Sequence, residues 1–347
     1  MFLYTDFPRW LSPVIIPGLP LRWYGMMYLV AFGLTWVLVR RLIRREMIPL
    51  QRAVSDDDLT NLFFWSIVGL LLGARFLAAL LYDTSGRYLT RPWLIFWPFD
   101  GNGNFTGLQG MSYHGGLIGA VVAFIVYARV KRIPVLEMGD IFTTAIPLGY
   151  TFGRLGNFIN QELYGRITSS SWGMLFPNAT PVPTSHPAVQ EIAEAVGIDI
   201  VGQSFVNLPR HPSQLYEAAL EGVVLWAVMW FIIRPRRPFR GFMVGVYLIG
   251  YALARFVAEF FRSPDPGIDF VIQWGPMDNP NWLLLSPFNL TMGQLLSLLM
   301  MASGVAVLLF FRHLHAQQPR VETHDTEDVS AARARANRKR RARARRG

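Results

Sequence analysis

The sequence predicts an all-α polytopic membrane protein: seven transmembrane helices, N-terminus outside, C-terminus cytoplasmic, with an extracytoplasmic loop subdomain. Three observations carry that expectation. Hydrophobic residues make up 52% of the 347 and charged residues only 16%. Several apolar runs reach the roughly 20 residues that a helix needs to cross a bilayer. Arg and Lys are dense in every second loop and sparse in the loops between, which is the positive-inside pattern.

Taken in order, residues 1–21 lack a basic n-region and a small-residue cleavage site, so they read as an extracytoplasmic segment rather than a cleaved signal. Spans are expected over 22–43, 61–82, 113–131, 136–154, 214–233, 241–262 and 290–311, which delimits a transmembrane catalytic domain over 22–312. Arg40, Arg41, Arg44, Arg45 and Arg52 follow the first span. Arg129, Lys131 and Arg132 follow the third, and Arg234, Arg236, Arg237 and Arg240 the fifth. The opposite loops hold only Arg9 and Arg22, Arg87 and Arg91, and Arg166 and Arg210, with no Lys or Arg between Ser263 and Pro287. The loop 83–112, with Trp93 and Trp97, reads as an interfacial stretch, and Trp274 and Trp282 in 263–288 read as interface anchors. Residues 166–212 are rich in Pro, Ser, Thr and Asn with one amphipathic segment near 187–197, and read as an extracytoplasmic subdomain or lid.

Most of the net charge of +10 sits at the end, in Arg333, Arg335, Arg338, Lys339, Arg340, Arg341, Arg343, Arg345 and Arg346. Residues 313–347 therefore read as a disordered basic cytoplasmic tail that fixes topology, with no specific nucleic-acid partner. There is no cysteine, which excludes a cysteine nucleophile, disulfides and thiolate metal sites. No HExxH, GxSxG, P-loop or metal-ligand cluster occurs, so neither a metal nor a cofactor is expected.

The polar residues inside the spans carry the functional expectation. Gly153-Arg154-Leu155-Gly156-Asn157-Phe158-Ile159-Asn160-Gln161-Glu162-Leu163-Tyr164-Gly165 follows an apolar run directly. As helix it sets Arg154, Asn157 and Gln161 on one face, with Asn160 beside them. Arg75, Arg154 and Arg255 lie about 14 to 18 residues into their spans, roughly 21 to 27 Å at about 1.5 Å per residue, which is the outer half of the membrane. Tyr24, His114, Glu217, Glu221, Glu259, Arg262 and Gln294 lie at the same ends. Charge at membrane depth is costly and marks function or an ion-pair network. Glu217, Glu221, Glu162 and Glu259 can neutralise some of the arginines. A guanidinium fork also matches phosphate, the anion of the lipid at that level. His114, with an ordinary pKa of about 6.5, is the candidate base or acid at the pocket. His211, at a helix entry, reads as structural.

These stretches resemble one family, the bacterial phosphatidylglycerol–prolipoprotein diacylglyceryl transferases. The resemblance rests on the Gly153–Gly165 stretch, Trp23-Tyr24-Gly25-Met26-Met27-Tyr28, Tyr113-His114-Gly115-Gly116-Leu117, Arg210-His211-Pro212-Ser213-Gln214-Leu215-Tyr216-Glu217, and Arg255 through Glu259-Phe260-Phe261-Arg262-Ser263-Pro264-Asp265. It implies transfer of a diacylglyceryl group from phosphatidylglycerol to the lipobox cysteine of a prolipoprotein signal peptide, at the bacterial inner membrane, with release of glycerol phosphate. It also implies functional positions at Tyr24, His114, Arg154, Asn157, Glu162, Gly165 and Arg255. On that resemblance the catalytic set is His114, Arg154, Arg255, Glu162 and Tyr24. The phospholipid is held by Arg154, Asn157, Asn160, Arg255, Gly165, Glu259 and Arg262. Either His114 or Glu162 takes the thiol proton. The alternative is an anionic-phospholipid carrier or flippase that performs no chemistry.

Overall fold

The computed structural model describes residues 4–16, 18, 21–45, 54–82, 86–99, 102–104, 110–264, 267–275 and 280–317. Of the expected disordered tail 313–347, residues 313–317 instead continue the last helix (Met292–Gln317), since its hydrogen bonding runs past the apolar stretch; residues 318–347, and parts of the loops 83–112 and 263–288, lie outside the described residues. The chain is mostly helical: α1 (Trp23–Arg45), α2 (Asp56–Tyr82), a short α3 (Arg87–Thr90), α4 (Tyr113–Val130), α5 (Val135–Ile159), α6 (Pro187–Val196), α7 (Ser213–Arg236), α8 (Phe242–Glu259) and α9 (Met292–Gln317). Among the described residues, six of these helices are long and apolar enough to cross a membrane: α1, α2, α4, α7, α8 and α9. α5 is long enough at 25 residues but less apolar, because it contains Glu137, Asp140 and Arg154.

α5 is the central post. α1 packs along it on one side and α7 and α8 on the other, while α2 pairs with α4 and α8 with α9. α2 and α4 meet backbone to backbone: a Cβ on Gly119 would lie 2.1 Å from the carbonyl oxygen of Gly69, so only glycine permits this approach. One end of the bundle carries an apolar core that includes Val39, Leu42, Leu59, Leu62, Met138 and Ile141. There Asp140 accepts from the backbone N–H of Gly241 at 2.9 Å and Val244 at 3.1 Å. It thereby caps the N-terminus of α8. Glu137 pairs with Arg240 at 3.0 Å.

Helix ends depart from the hydropathy-based expectations. α2 begins at Asp56 rather than 61, since Ser55 and Asp58 form the reciprocal bonds of a capping box (3.0 and 3.2 Å). α5 runs on through the polar residues to Ile159, because backbone hydrogen bonding does not stop where hydropathy falls.

At the other end, three two-stranded ribbons and α6 build the connecting structure. β1 (Thr5–Asp6) pairs in parallel with β2 (Met174–Leu175), β3 (Val182–Pro183) pairs with β4 (Phe205–Val206), and β5 (Phe270–Ile272) with β6 (Leu290–Thr291). Within the segment 166–212, Ile167, Val182, Val189, Ala193, Val196, Val206 and Leu208 form a core that Leu283 from outside the segment completes. α6 starts on His186, whose Nδ1 accepts from Ala188 N–H at 3.2 Å, and ends on Gly197 at φ 71°. Phe7 inserts between Phe158 and Phe176 and ties the N-terminal segment to the last turn of α5.

Candidate functional site

The last turn of α5 supplies the first wall of the site. Arg154 and Asn157, three apart, stand together, with Arg154 Nη1 donating to Asn157 Oδ1 at 3.4 Å. Asn157 then donates through Nδ2 to Glu162 Oε1 at 2.7 Å, and Asn160 Nδ2 reaches the same oxygen at 3.5 Å. Gln161 leaves this face. The helix has ended at Ile159, Gln161 turns to φ 56°, and its Oε1 accepts from Asn178 N–H at 3.2 Å.

α7 and α8 supply the charge partners. Glu217 lies between two arginines from different helices: its Oε2 is 2.7 Å from Arg154 Nε, and its Oε1 is 3.1 Å from Arg255 Nη1. Arg255 also meets Glu259 at 2.5 Å and Glu221 at 3.8 Å. Arg262 closes the group at 3.7 Å from Glu259 and 3.9 Å from Glu217. Three arginines thus face three glutamates. Tyr150 stacks beneath Arg154, its hydroxyl accepting from Nε at 2.5 Å, and donor Tyr251 lies 3.4 Å from the same hydroxyl. α7 is wound as a π-helix over Ala218–Val224, where Glu221 sits. Such widened turns are uncommon and recur at functional sites.

The accessible surface of this cluster is unevenly shared. The side chains of Glu217 and Glu221 are 0% exposed and that of Glu259 2%, whereas Arg154 keeps 15% and Arg255 and Arg262 keep 12% each. Of these six side chains the arginines keep more surface accessible than the glutamates that pair with them.

Backbone fixes the remaining residues. Gly165 donates its N–H to His211 O at 2.8 Å, and a Cβ there would sit 2.2 Å from Phe261 O and 2.7 Å from His211 O. The next residue, Arg166, donates to Phe260 O at 3.1 Å, and burial lowers its pKa to about 10. His211 is hydrogen-bonded to the Tyr216 hydroxyl at 3.3 Å and packs edge-on against Phe261. Burial, then the charge of Arg166, push its pKa down to about 4, which suits the structural reading of this histidine. Thr291 donates to Glu259 Oε1 at 3.0 Å and forms a capping box with Gln294 at the start of α9, so Gln294 serves the helix entry.

The expected site residues therefore divide. Arg154, Asn157, Asn160, Glu162, Arg255, Glu259 and Arg262 come together, with Gly165 at the crossing of three backbone segments. Tyr24 lies beside them, its ring 3.3 Å from a Cβ built on Gly156 and its hydroxyl near Asn157 and Glu162. Among the described residues His114 makes no hydrogen bond or ion pair to them, where the expectation had it facing Arg154 and Arg255. It is exposed, and its described contact is the edge of Tyr113 at 5.6 Å. The glycine face of α4 is turned to α2, and it is Tyr113 that interacts with Tyr247 and Tyr251. Arg75 is elsewhere too, bonded to the carbonyls of Ile95 and Gly110 and the Tyr88 hydroxyl, where it pins a connecting loop.

Sequence reasoning undervalued Glu217 and Glu221. Their spacing of four at the start of a span was the available signal, but it assigned them only to neutralisation. Tyr150 and Tyr251 gave no signal, since a tyrosine inside an apolar helix ordinarily reads as packing.

Comparison with known proteins gives this cluster its family. The family model described as prolipoprotein diacylglyceryl transferase matches residues 13–310. The chain belongs to the prolipoprotein diacylglyceryl transferase family. Among its relatives is the phosphatidylglycerol–prolipoprotein diacylglyceryl transferase of Treponema denticola, 46% identical over 326 residues, which covers 90% of this chain and 96% of the relative. The enzymes of that name from Treponema pallidum and Chlorobaculum tepidum are 42% and 40% identical, over 89% and 88% of this chain and 96% and 92% of the relatives. The stretch matched by the transferase family model contains the whole cluster, from Tyr24 to Gln294.

Proposed function

We propose that this chain transfers the diacylglyceryl group of phosphatidylglycerol to the cysteine thiol of a prolipoprotein lipobox. One observation carries the reading beyond family membership. Three arginines, from α5, α8 and the segment after α8, are gathered in one cluster, and each keeps part of its side chain accessible, as a site for a phosphodiester requires. In the transfer, the thiolate sulfur bonds to the diacylglyceryl carbon, and the bond from that carbon to the phosphate oxygen breaks. The electron pair leaves with glycerol phosphate. Arg154 and Arg255 stabilise the charge that gathers on that oxygen, Glu259 holds Arg255 in place, and Arg262 adds a third cation beside Glu259. The thiol, with an ordinary pKa of about 8.5, must give up its proton. Glu162 is the favoured acceptor over His114, because its carboxylate is hydrogen-bonded to the residue that touches Arg154. Tyr24, Asn157 and Asn160 line the head-group side. A carrier without chemistry is disfavoured, because the relatives bear transferase names.

α5 serves as a seventh crossing in this reading. Its 25 residues span about 37 Å at about 1.5 Å each. Its charges are bound within the protein, by Arg240, by the start of α8 and by Glu217, so none is left bare to lipid. The loop charges then set the N-terminus and the 166–212 unit outside, in a bacterial inner membrane. Reporter fusions at the termini and within 166–212 test that orientation; a cytoplasmic N-terminus refutes it. The activity itself is tested by incubating purified protein with labelled phosphatidylglycerol and a lipobox peptide. Label should appear on the peptide cysteine. Lipid movement across vesicles without transfer would mean a carrier.

A further inference from the structure

α5 ends in a Schellman-type cap. The N–H of Glu162 donates to Asn157 O at 3.1 Å and that of Gln161 to Phe158 O at 3.0 Å, the 6→1 and 5→2 bonds of that motif. Glycine ordinarily takes the left-handed position. Here it is Gln161, at φ 56°, and Leu163, two residues on, is again at φ 56°. Left-handed backbone is unfavourable for any residue with a Cβ. Leu163 recovers little by burial, since it is 42% exposed. The contact that such a cap usually makes between its third-last helical residue and the residue after the turn is apolar. Here it is the hydrogen bond from Asn157 to Glu162.

So Glu162 sits between two strained residues, and something must hold them. The start of α7 does. Gln214 Nε2 donates to the carbonyl of Glu162 at 2.7 Å, and Ser213 Oγ donates to that of Leu163 at 3.0 Å. Both residues are 0% exposed. The other end of the Gln214 amide, Oε1, is buried and has no hydrogen-bond partner among the described residues. A buried unmade acceptor is destabilising. The donor end is the one that is used: it is aimed at the turn, at the Glu162 carbonyl. We propose that Gln214, assisted by Ser213, is a positioning residue for the transfer: it clamps the strained turn 161–163 and thereby sets the Glu162 carboxylate against Asn157 and Arg154. The inference rests on the transferase reading of the site and on the role of Glu162 within it.

The test uses the purified full chain, labelled phosphatidylglycerol and a lipobox peptide. Wild-type protein that transfers nothing overturns the transferase reading, and this inference with it. Given wild-type transfer, Gln214→Met should lower kcat about 10- to 100-fold, the scale of a misplaced catalytic group, with little change in KM. Its melting temperature in detergent should change little, because the substitution removes one unpaired acceptor, Gln214 Oε1, and leaves another at the Glu162 carbonyl. Gln214→Met should also move the acid limb of the kcat–pH profile, which a merely structural lesion would scale without shifting. Adding Leu163→Gly to Gln214→Met should restore part of the lost kcat, because glycine adopts the turn without strain. Ser213→Ala should give a smaller loss of the same kind. Wild-type kcat in Gln214→Met overturns the proposal. So does a loss of kcat that tracks a fall in melting temperature and is not recovered by glycine at 163.

Discussion

Glu217 shows most directly what one residue does here. It is fully buried and within ion-pair distance of arginines from α5, α8 and the segment after α8. Replacing it with glutamine leaves three guanidiniums facing two carboxylates. Breaking a buried pair by removing one partner costs about 3–5 kcal/mol. Glu217→Gln should therefore lower the melting temperature in detergent as well as abolish transfer; an unchanged melt contradicts the bridging role. Arg154→Lys and Arg255→Lys should each lose most transfer, because an ammonium lacks the planar fork that grips both phosphate and Glu217. Near-normal rates in both would remove the phosphate clamp. His211 makes a prediction of opposite character. Its folded pKa of about 4 lies below the ordinary 6.5, so the unfolded chain binds protons first as pH falls. Its contribution is fully present above about pH 6.5 and is lost as pH drops toward about 4. Wild type minus His211→Gln, compared by melting at a series of pH values, should show a slope confined to that window. At this scale the sequence was most informative where chemistry is contiguous. Arg154 and Asn157 were legible as one helix face, but Gln161, expected on it, turns away and Glu162 takes that place. Glu217's bridging was not, because which arginines it meets is decided by how α5, α7 and α8 pack. His114 misled for the same reason: depth along a helix was readable, but the direction it faces around α4 was set by glycine packing against α2.

Among the elements, α5 was the hardest to read and is the most consequential. Its hydropathy ends before its hydrogen bonds do, and the extra turn to Ile159 is what carries Asn157 into contact with Arg154. The Schellman cap with glutamine in the glycine position has no signature in hydrophobic periodicity. A glycine at 161 would have announced it. The π-wound stretch of α7 was equally silent, for helix periodicity distinguishes 3.6 residues per turn from a strand but not from a slightly wider helix. Gly165 was legible as a close approach, and the structure supplies its reason. Gly165→Ala places a methyl carbon 2.2 Å from the Phe261 carbonyl oxygen, and both flanking segments are held by backbone hydrogen bonds. Neither can yield as a flexible side chain would. The expected result is loss of transfer with loss of the junction between α5, α7 and α8, detectable as proteolysis within 166–212 in the folded detergent state. Protection equal to wild type would indicate that the junction accommodates the methyl.

For the whole molecule, the multi-pass helical architecture was legible from composition and loop charge, because a bilayer constrains segment length and apolarity more tightly than water does. The working parts occupy one end of a bundle whose other end is capped by Asp140 and packed with aliphatic side chains. This division predicts how the chain responds to shortening. The family match stops at residue 310, α9 closes at Gln317, and the last residues tied to the cluster are Thr291 and Gln294. The basic residues from Arg333 to Arg346 lie beyond all of these. We propose that their charge only reinforces an orientation already set by the loop charges and draws on anionic lipid, at about 1 kcal/mol for each residue near the surface, leaving the transfer chemistry to the bundle. A chain ending at residue 317 should therefore insert with the same orientation, read by a C-terminal reporter, and transfer label at the full-length rate once equal amounts of inserted protein are compared. Reduced insertion with a normal rate per inserted molecule would keep the tail as a topology device. A correctly inserted but inactive truncation would assign the tail a part in the reaction and break the separation between the two ends of the bundle.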